Sequence, residues 1–182
     1  AALIHHLAAH PQVGIAGPTI VDGSGATYPS LRIFPNIVLA GLHAVLAPLW
    51  ANNPATKRYR SPGRNGHVDW VSGAFFVVRT EAFQRVGGFD ERYFMFAEDM
   101  DLCWRLARAG WEVAVVPEAV VTHIEGVSRS RAPRAMVKAH HQSALRFEAR
   151  TARGARRLLL PLAALLLGAR YAVMSALAPR PR

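Results

Sequence analysis

Three carboxylates fall within four positions, at Glu98, Asp99 and Asp101, in the run Phe96-Ala97-Glu98-Asp99-Met100-Asp101-Leu102-Cys103-Trp104-Arg105. Like charges this close repel. Carboxylates beside aromatic residues serve as ion-pair partners, face a metal or do proton chemistry. An apolar pattern at helical spacing follows, through Leu102, Cys103, Leu106 and Ala109. It predicts a helix over residues 98–109, with Gly110 where a C′ glycine belongs. Asp99 then lies in the first turn, where the helix dipole favours the anion that a general base must be. On such a helix Glu98 and Asp101 share a face, while Asp99 points roughly 100° away from Glu98. One job cannot fit all three. Asp99 is assigned to the active site and Asp101 to support, through N–H groups or an arginine. The bland alternative is that all three complement the dipole.

Asp69-Trp70-Val71-Ser72-Gly73-Ala74 sets an indole beside a turn of small residues. Aromatic faces stack on the C–H surface of sugars, and a glycine lets a ligand come close. Core packing would equally explain Trp70. Gly87-Gly88-Phe89-Asp90-Glu91 is a turn that aims the aromatic run Tyr93-Phe94-Met95-Phe96, which is read as structural. An imidazole at His123, after a strand-like run, could hold a divalent metal, although a lone histidine is more often no ligand. Arg129 and Arg131, interleaved with Ser128 and Ser130, could bind phosphate or form a solvated charge run.

The elements that must position these groups alternate. Residues 3–9 end a helix stopped by His10-Pro11. Residues 13–21 are a buried strand closed by the turn Asp22-Gly23-Ser24-Gly25. Residues 28–35 are extended, 36–50 helical, and 52–66 an exposed loop. Strand-like runs follow at 67–71 and 74–79. Thr80 is an N-cap for a helix through Val86. Two further short strands, 112–116 and 120–123, are separated by Pro117. This order predicts an α/β domain with a mixed sheet.

Charge divides the chain. Residues 1–128 hold ten Lys/Arg and eleven Asp/Glu, whereas residues 129–182 hold twelve Lys/Arg and one acid, Glu148. The split speaks against a domain-wide basic face for nucleic acid. A basic tail leading into an apolar helix at 158–178 points instead to an anionic membrane surface. A span needs about 20 apolar residues, and Arg170 within one costs about 2.5–3.5 kcal/mol. A helix lying in the interface is thus expected, with packing on the domain surface as the alternative. The single cysteine, Cys103, excludes an internal disulfide and suits a reducing compartment.

Five motifs occur in order: Asp-Trp-x-Ser-Gly-Ala at 69–74, Val-Gly-Gly-Phe-Asp-Glu at 86–91, Glu-Asp-x-Asp-Leu-Cys-Trp-Arg at 98–105, Ala-Gly-Trp at 109–111 and Pro-Glu-Ala-x-Val-x-His at 117–123. Together they resemble the inverting glycosyltransferases of family 2, most of all the rhamnosyltransferase-like enzymes of bacterial cell-envelope polysaccharides. Residues 13–35 extend the likeness. The resemblance implies a partial GT-A fold over residues 1–130, with residues 131–182 as a basic helical tail. It implies Asp99 as catalytic base, Trp70, Ser72, Gly73 and Ala74 lining the substrate site with Glu98 beside them, and His123 as a candidate metal ligand. It implies a nucleotide-sugar donor, a glycan or lipid-linked acceptor, a divalent metal (Mg or Mn), and work at the cytoplasmic face of the membrane. The family's metal-binding Asp-x-Asp, which precedes these motifs, does not appear at a suitable place in the sequence. The main metal ligands are accordingly expected before residue 1, and the chain is read as an acceptor-side fragment that is inactive alone. A non-catalytic remnant that binds glycan or membrane is the competing reading.

Overall fold

In the computed structural model, which describes residues 1–27, 31–35, 37–46, 50, 52–60, 68–124 and 133–177, the spine is β1 (Val13–Val21). It pairs in parallel with β5 (Glu112–Thr122) and antiparallel with β4 (Val77–Val78), giving a mixed sheet of order β4-β1-β5. Residues 13–18 of β1 are all buried, as a strand covered on both faces must be. One cover is α1 (Ala2–Ala9), whose Leu3 and Leu7 pack with Val13, Ala16 and Val116. The other is formed by α4 (Thr80–Arg85) and α5 (Glu98–Arg108), where Ile15, Val71, Ala82, Leu102, Cys103 and Leu106 make the central core. Leu102 and Leu106 are fully buried, and each contributes about 1.5–3 kcal/mol by leaving water. At Gly17 a Cβ would sit 2.8 Å from the Val71 side chain, so only glycine lets β1 approach that closely.

A second, two-stranded sheet joins β2 (Leu31–Arg32) to β3 (Trp70–Val71), antiparallel. Between them lie α2 (Ile37–Leu46) and α3 (Pro54–Arg60). The α3 helix corrects the loop expected over 52–66. Asn53 caps it, accepting from the Thr56 N–H at 2.9 Å, and proline takes the first helical position, where no N–H is required. Residues 61–67 of that stretch lie outside the described residues.

Two smaller corrections concern boundaries. The two strands expected around Pro117 are one strand, because the ladder absorbs the proline at a register shift between Pro18 and Thr19. Thr19 Oγ1 donates to Pro117 O at 3.1 Å across that irregularity. Thr80 is the first helical residue of α4, capped by Arg79 without a side-chain bond. Gly110, at φ 91°, closes α5 as its position predicted.

Beyond residue 132, α6 (Pro133–Thr151) is followed by a 3-10 turn (Gly154–Leu159) and α7 (Leu160–Leu177). His141 on α6 meets Tyr171 on α7 with ring centroids 6.0 Å apart, so the two helices form an antiparallel hairpin. Phe147 of α6 is 1% exposed and packs with Tyr93, Met100, Phe34 and Trp70. Contacts therefore run across the division drawn at residue 130.

Candidate active site

β3 delivers the chain into a tight turn. Ser72 O accepts from the Phe75 N–H at 3.3 Å and Ser72 Oγ from the Ala74 N–H at 3.2 Å. The Gly73 N–H is left pointing at the start of α5, where it donates to Asp99 Oδ2 at 2.6 Å. The approach is close enough that a Cβ on Gly73 would stand 3.2 Å from that oxygen. Asp99 Oδ1 accepts from the Met100 N–H at 2.7 Å. No ion pair engages this carboxylate among the described residues. Burial pushes the Asp99 carboxyl above the ordinary aspartate range, against the pull of the two N–H donors and the nearby Arg32 charge. Desolvation is the largest of these influences on its titration. A partly buried carboxylate with a raised proton affinity and no ion pair among the described residues is chemically able to accept a proton.

Glu98 is half-buried, and its Oε2 has no hydrogen-bond partner among the described residues. Burial and then the Asp99 charge push its carboxyl up. Asp101 has the opposite surroundings. It is fully buried, with Arg105 Nε at 2.7 Å, Arg150 Nε at 3.3 Å and the Tyr93 hydroxyl donating at 3.4 Å. The arginine support expected for Asp101 is present, from two residues rather than one. Burial and the Asp101 charge push the Tyr93 hydroxyl above its usual range.

Trp70 is half-buried. Its indole N–H donates to Ile33 O at 3.3 Å, and the Arg32 guanidinium lies 5.6 Å from the ring centroid. The structure therefore brings Gly73 and Asp99 into direct contact, with Trp70, Ser72, Ala74 and Glu98 as immediate neighbours. His123 comes just past the end of β5, where its backbone N–H donates to Val21 O at 2.8 Å. Arg129 and Arg131 lie outside the described residues. Among the described residues no three His, Cys, Asp or Glu side chains come together as metal ligands. The described groups do not by themselves make a metal centre.

Sequence reasoning missed the frame around α5. Phe96 and Ala97 both adopt left-handed backbone, at φ 67° and 63°, and α5 begins without a side-chain cap. Two consecutive non-glycine residues there cost about 1–2 kcal/mol each. No glycine or asparagine marks the position. Arg150 joins the same frame through Asp90 at 2.7 Å, sixty residues away in sequence. Arg92 and Arg150 hold the Asp90 carboxyl well below the usual carboxylate range.

The family model described as "Glycosyltransferase like family 2" matches residues 49–144. The N-acetylglucosaminyl-diphospho-decaprenol L-rhamnosyltransferase of Mycobacterium tuberculosis is 45% identical over 146 residues, covering 78% of this chain and 47% of that protein. Rhamnosyltransferase WbbL of Escherichia coli is 50% identical over 56 residues, covering 31% of this chain and 21% of its own. The O-antigen biosynthesis protein RfbC of Myxococcus xanthus is 34% identical over 70 residues, 35% of this chain and 6% of its own. This chain spans about half the length of the mycobacterial relative. The mixed sheet between helices is consistent with part of a GT-A fold.

Proposed function

Since the chain belongs to glycosyltransferase family 2, we propose that it forms the acceptor-side part of an enzyme that moves a sugar from a nucleotide donor to a lipid-linked glycan, with inversion. The observation that carries this reading is the Asp99 carboxylate, held by the Gly73 and Met100 amides, unpaired with any cation among the described residues and raised in proton affinity. An acceptor hydroxyl attacks the anomeric carbon of the donor. Its proton passes to Asp99, and the nucleoside diphosphate leaves from the opposite face. The mycobacterial and E. coli relatives carry rhamnosyltransferase names, so rhamnose is the donor sugar proposed and a diphospho-linked amino sugar on a polyprenol the acceptor. Trp70 and the 72–74 turn form the wall against which the acceptor ring lies. The main ligands of the divalent ion implied by the family are proposed to lie outside the described residues, with His123 proposed as the one described residue that would add to them. By itself the chain is proposed not to turn over, because the donor-side motif is not in its sequence.

The test is Asp99→Asn in the enzyme that contains this chain, with product configuration read by NMR. Loss of rate with an intact fold supports the assignment, and full rate or a retained anomer overturns it.

The tail is proposed to seat the enzyme on the cytoplasmic face of the membrane. One helical stretch, Gly154–Ala176, is long and apolar enough to cross a bilayer by length and composition. Yet α7 already packs along α6, and four of its exposed apolar residues, Leu162, Leu165, Leu166 and Val173, fall within about 100° of arc, with Met174 outside it. That supports a helix lying in the interface, with Arg153, Arg156 and Arg157 at the headgroups. Leu162→Gln with Leu165→Gln should release the chain from anionic vesicles. Equal partitioning of variant and parent would refute the seat.

A further inference from the structure

Helix α6 touches the strained turn that precedes Asp99 at several points. Ser143 Oγ donates to Met95 O at 2.9 Å. The His140 ring meets the Phe96 ring edge-on, with centroids 5.3 Å apart. Ala97 packs against the cluster of Tyr93, Met100 and Phe147. On the far side of the turn, Arg150 grips Asp90 at 2.7 Å and Asp101 at 3.3 Å, while its guanidinium lies 5.7 Å from the Trp104 ring centroid. These contacts anchor the segment at residues 90, 95, 96, 97 and 101, on both sides of Asp99. Left-handed backbone at two non-glycine residues persists only when its surroundings over-determine it, and the start of α5 supplies no side-chain cap to do so.

We propose that α6 is a splint for the catalytic turn, with Ser143 and Arg150 as positioning residues that keep the Asp99 carboxylate directed at the Gly73 amide. Neither residue touches the reacting atoms. Ser143 fixes the carbonyl at the entry to the strained pair, and Arg150 ties the first turn of α5 to the Asp90 loop. Released from α6, residues 96 and 97 relax to ordinary backbone, α5 loses its starting direction, and the Gly73–Asp99 bond opens. An error near 1 Å in a reacting group lowers rate about 100-fold, so the effect falls on turnover rather than on acceptor binding. The proposal rests on the reading of Asp99 as the base.

The experiment has two arms. In this chain, hydrogen exchange of peptides covering 72–75 and 96–101 is compared between parent, Ser143→Ala, Arg150→Lys and Arg150→Met. At least tenfold faster exchange is expected there in Ser143→Ala and Arg150→Met, with residues 13–21 unchanged as the control for global unfolding. In the enzyme that contains this chain, the same variants should lower kcat about 10- to 100-fold at constant acceptor KM. Arg150→Lys, which keeps a charge between Asp90 and Asp101, should fall between parent and Arg150→Met. Unchanged exchange at 72–75 and 96–101, or a kcat within twofold of the parent in Ser143→Ala, overturns the splint. Full activity in Asp99→Asn would sink the base assignment instead, while leaving the exchange result intact.

Discussion

The first turn of α5 has two sides, and each carries one aspartate. On one side Asp101 is sealed between Arg105, Arg150 and Tyr93. On the other Asp99 is held by two backbone amides at the edge of a glycine turn. The side chain is the same, the helix is the same, and the positions are two residues apart. The difference teaches that a carboxylate's role follows from what neutralises it. Cations bind Asp101 into the architecture. Amides orient Asp99 without quenching its charge, so it keeps the capacity to take a proton.

The sharpest way to break this contrast is to neutralise each side in turn. Asp99→Asn should cut turnover about 10²–10⁴-fold. It removes a partly buried charge but loses one acceptor, so stability should move by no more than about 1 kcal/mol. Initial rates paired with thermal melts decide this, and a rate within tenfold of the parent would dissolve the distinction. Asp101→Asn should do the reverse, with a loss of about 3–5 kcal/mol in a denaturant titration, because the Arg105 guanidinium loses its counter-charge and Arg150 keeps only Asp90.

Next in size is Gly73→Ala. The added Cβ stands 3.2 Å from Asp99 Oδ2 and 3.3 Å from Asp99 Cβ, so the carboxylate must give way by a few tenths of an ångström. A destabilisation of about 1–3 kcal/mol is expected, together with lost exchange protection at residue 73. No change in either would mean that the contact is looser than it stands.

The smallest effect is on pH dependence, where the signs also differ between regions. Burial raises the Asp99 carboxyl in the folded state. Between the ordinary aspartate value of about 3.9 and the raised one, the folded chain holds a proton that the unfolded chain releases. Stability from this group therefore falls as pH rises through that window, and Asp99→Asn should flatten the fall. Asp90, depressed by Arg92 and Arg150, behaves oppositely. Its stabilisation is present above the ordinary carboxylate value and is lost as pH falls through the depressed one. Denaturant midpoints across the acid range separate the two slopes.

What the sequence disclosed was local. The 98–109 helix, its closing Gly110 and the buried run of β1 each follow from spacing within about ten residues. Asn53-Pro54 was an equally local signal for α3, but the polar, basic stretch around it concealed the helix. Pro117 suggested a break because a proline lacks the ladder donor, yet a register shift absorbs it. The Gly73–Asp99 bond spans 26 positions and the Asp90–Arg150 pair 60. No periodicity encodes such pairings. The left-handed Phe96 and Ala97 were hidden for a related reason: their backbone is imposed by packing from α6, not by their own preference.

Cys103 sits at the middle of the core, 0% exposed, with burial pushing its thiol up to about 12. A group so enclosed and so reluctant to become thiolate is silent towards alkylating reagents while the molecule is closed. Because the chain has no other sulfhydryl, every labelled molecule records one opening event. The protein thus carries its own clock for counting how often its interior meets solvent.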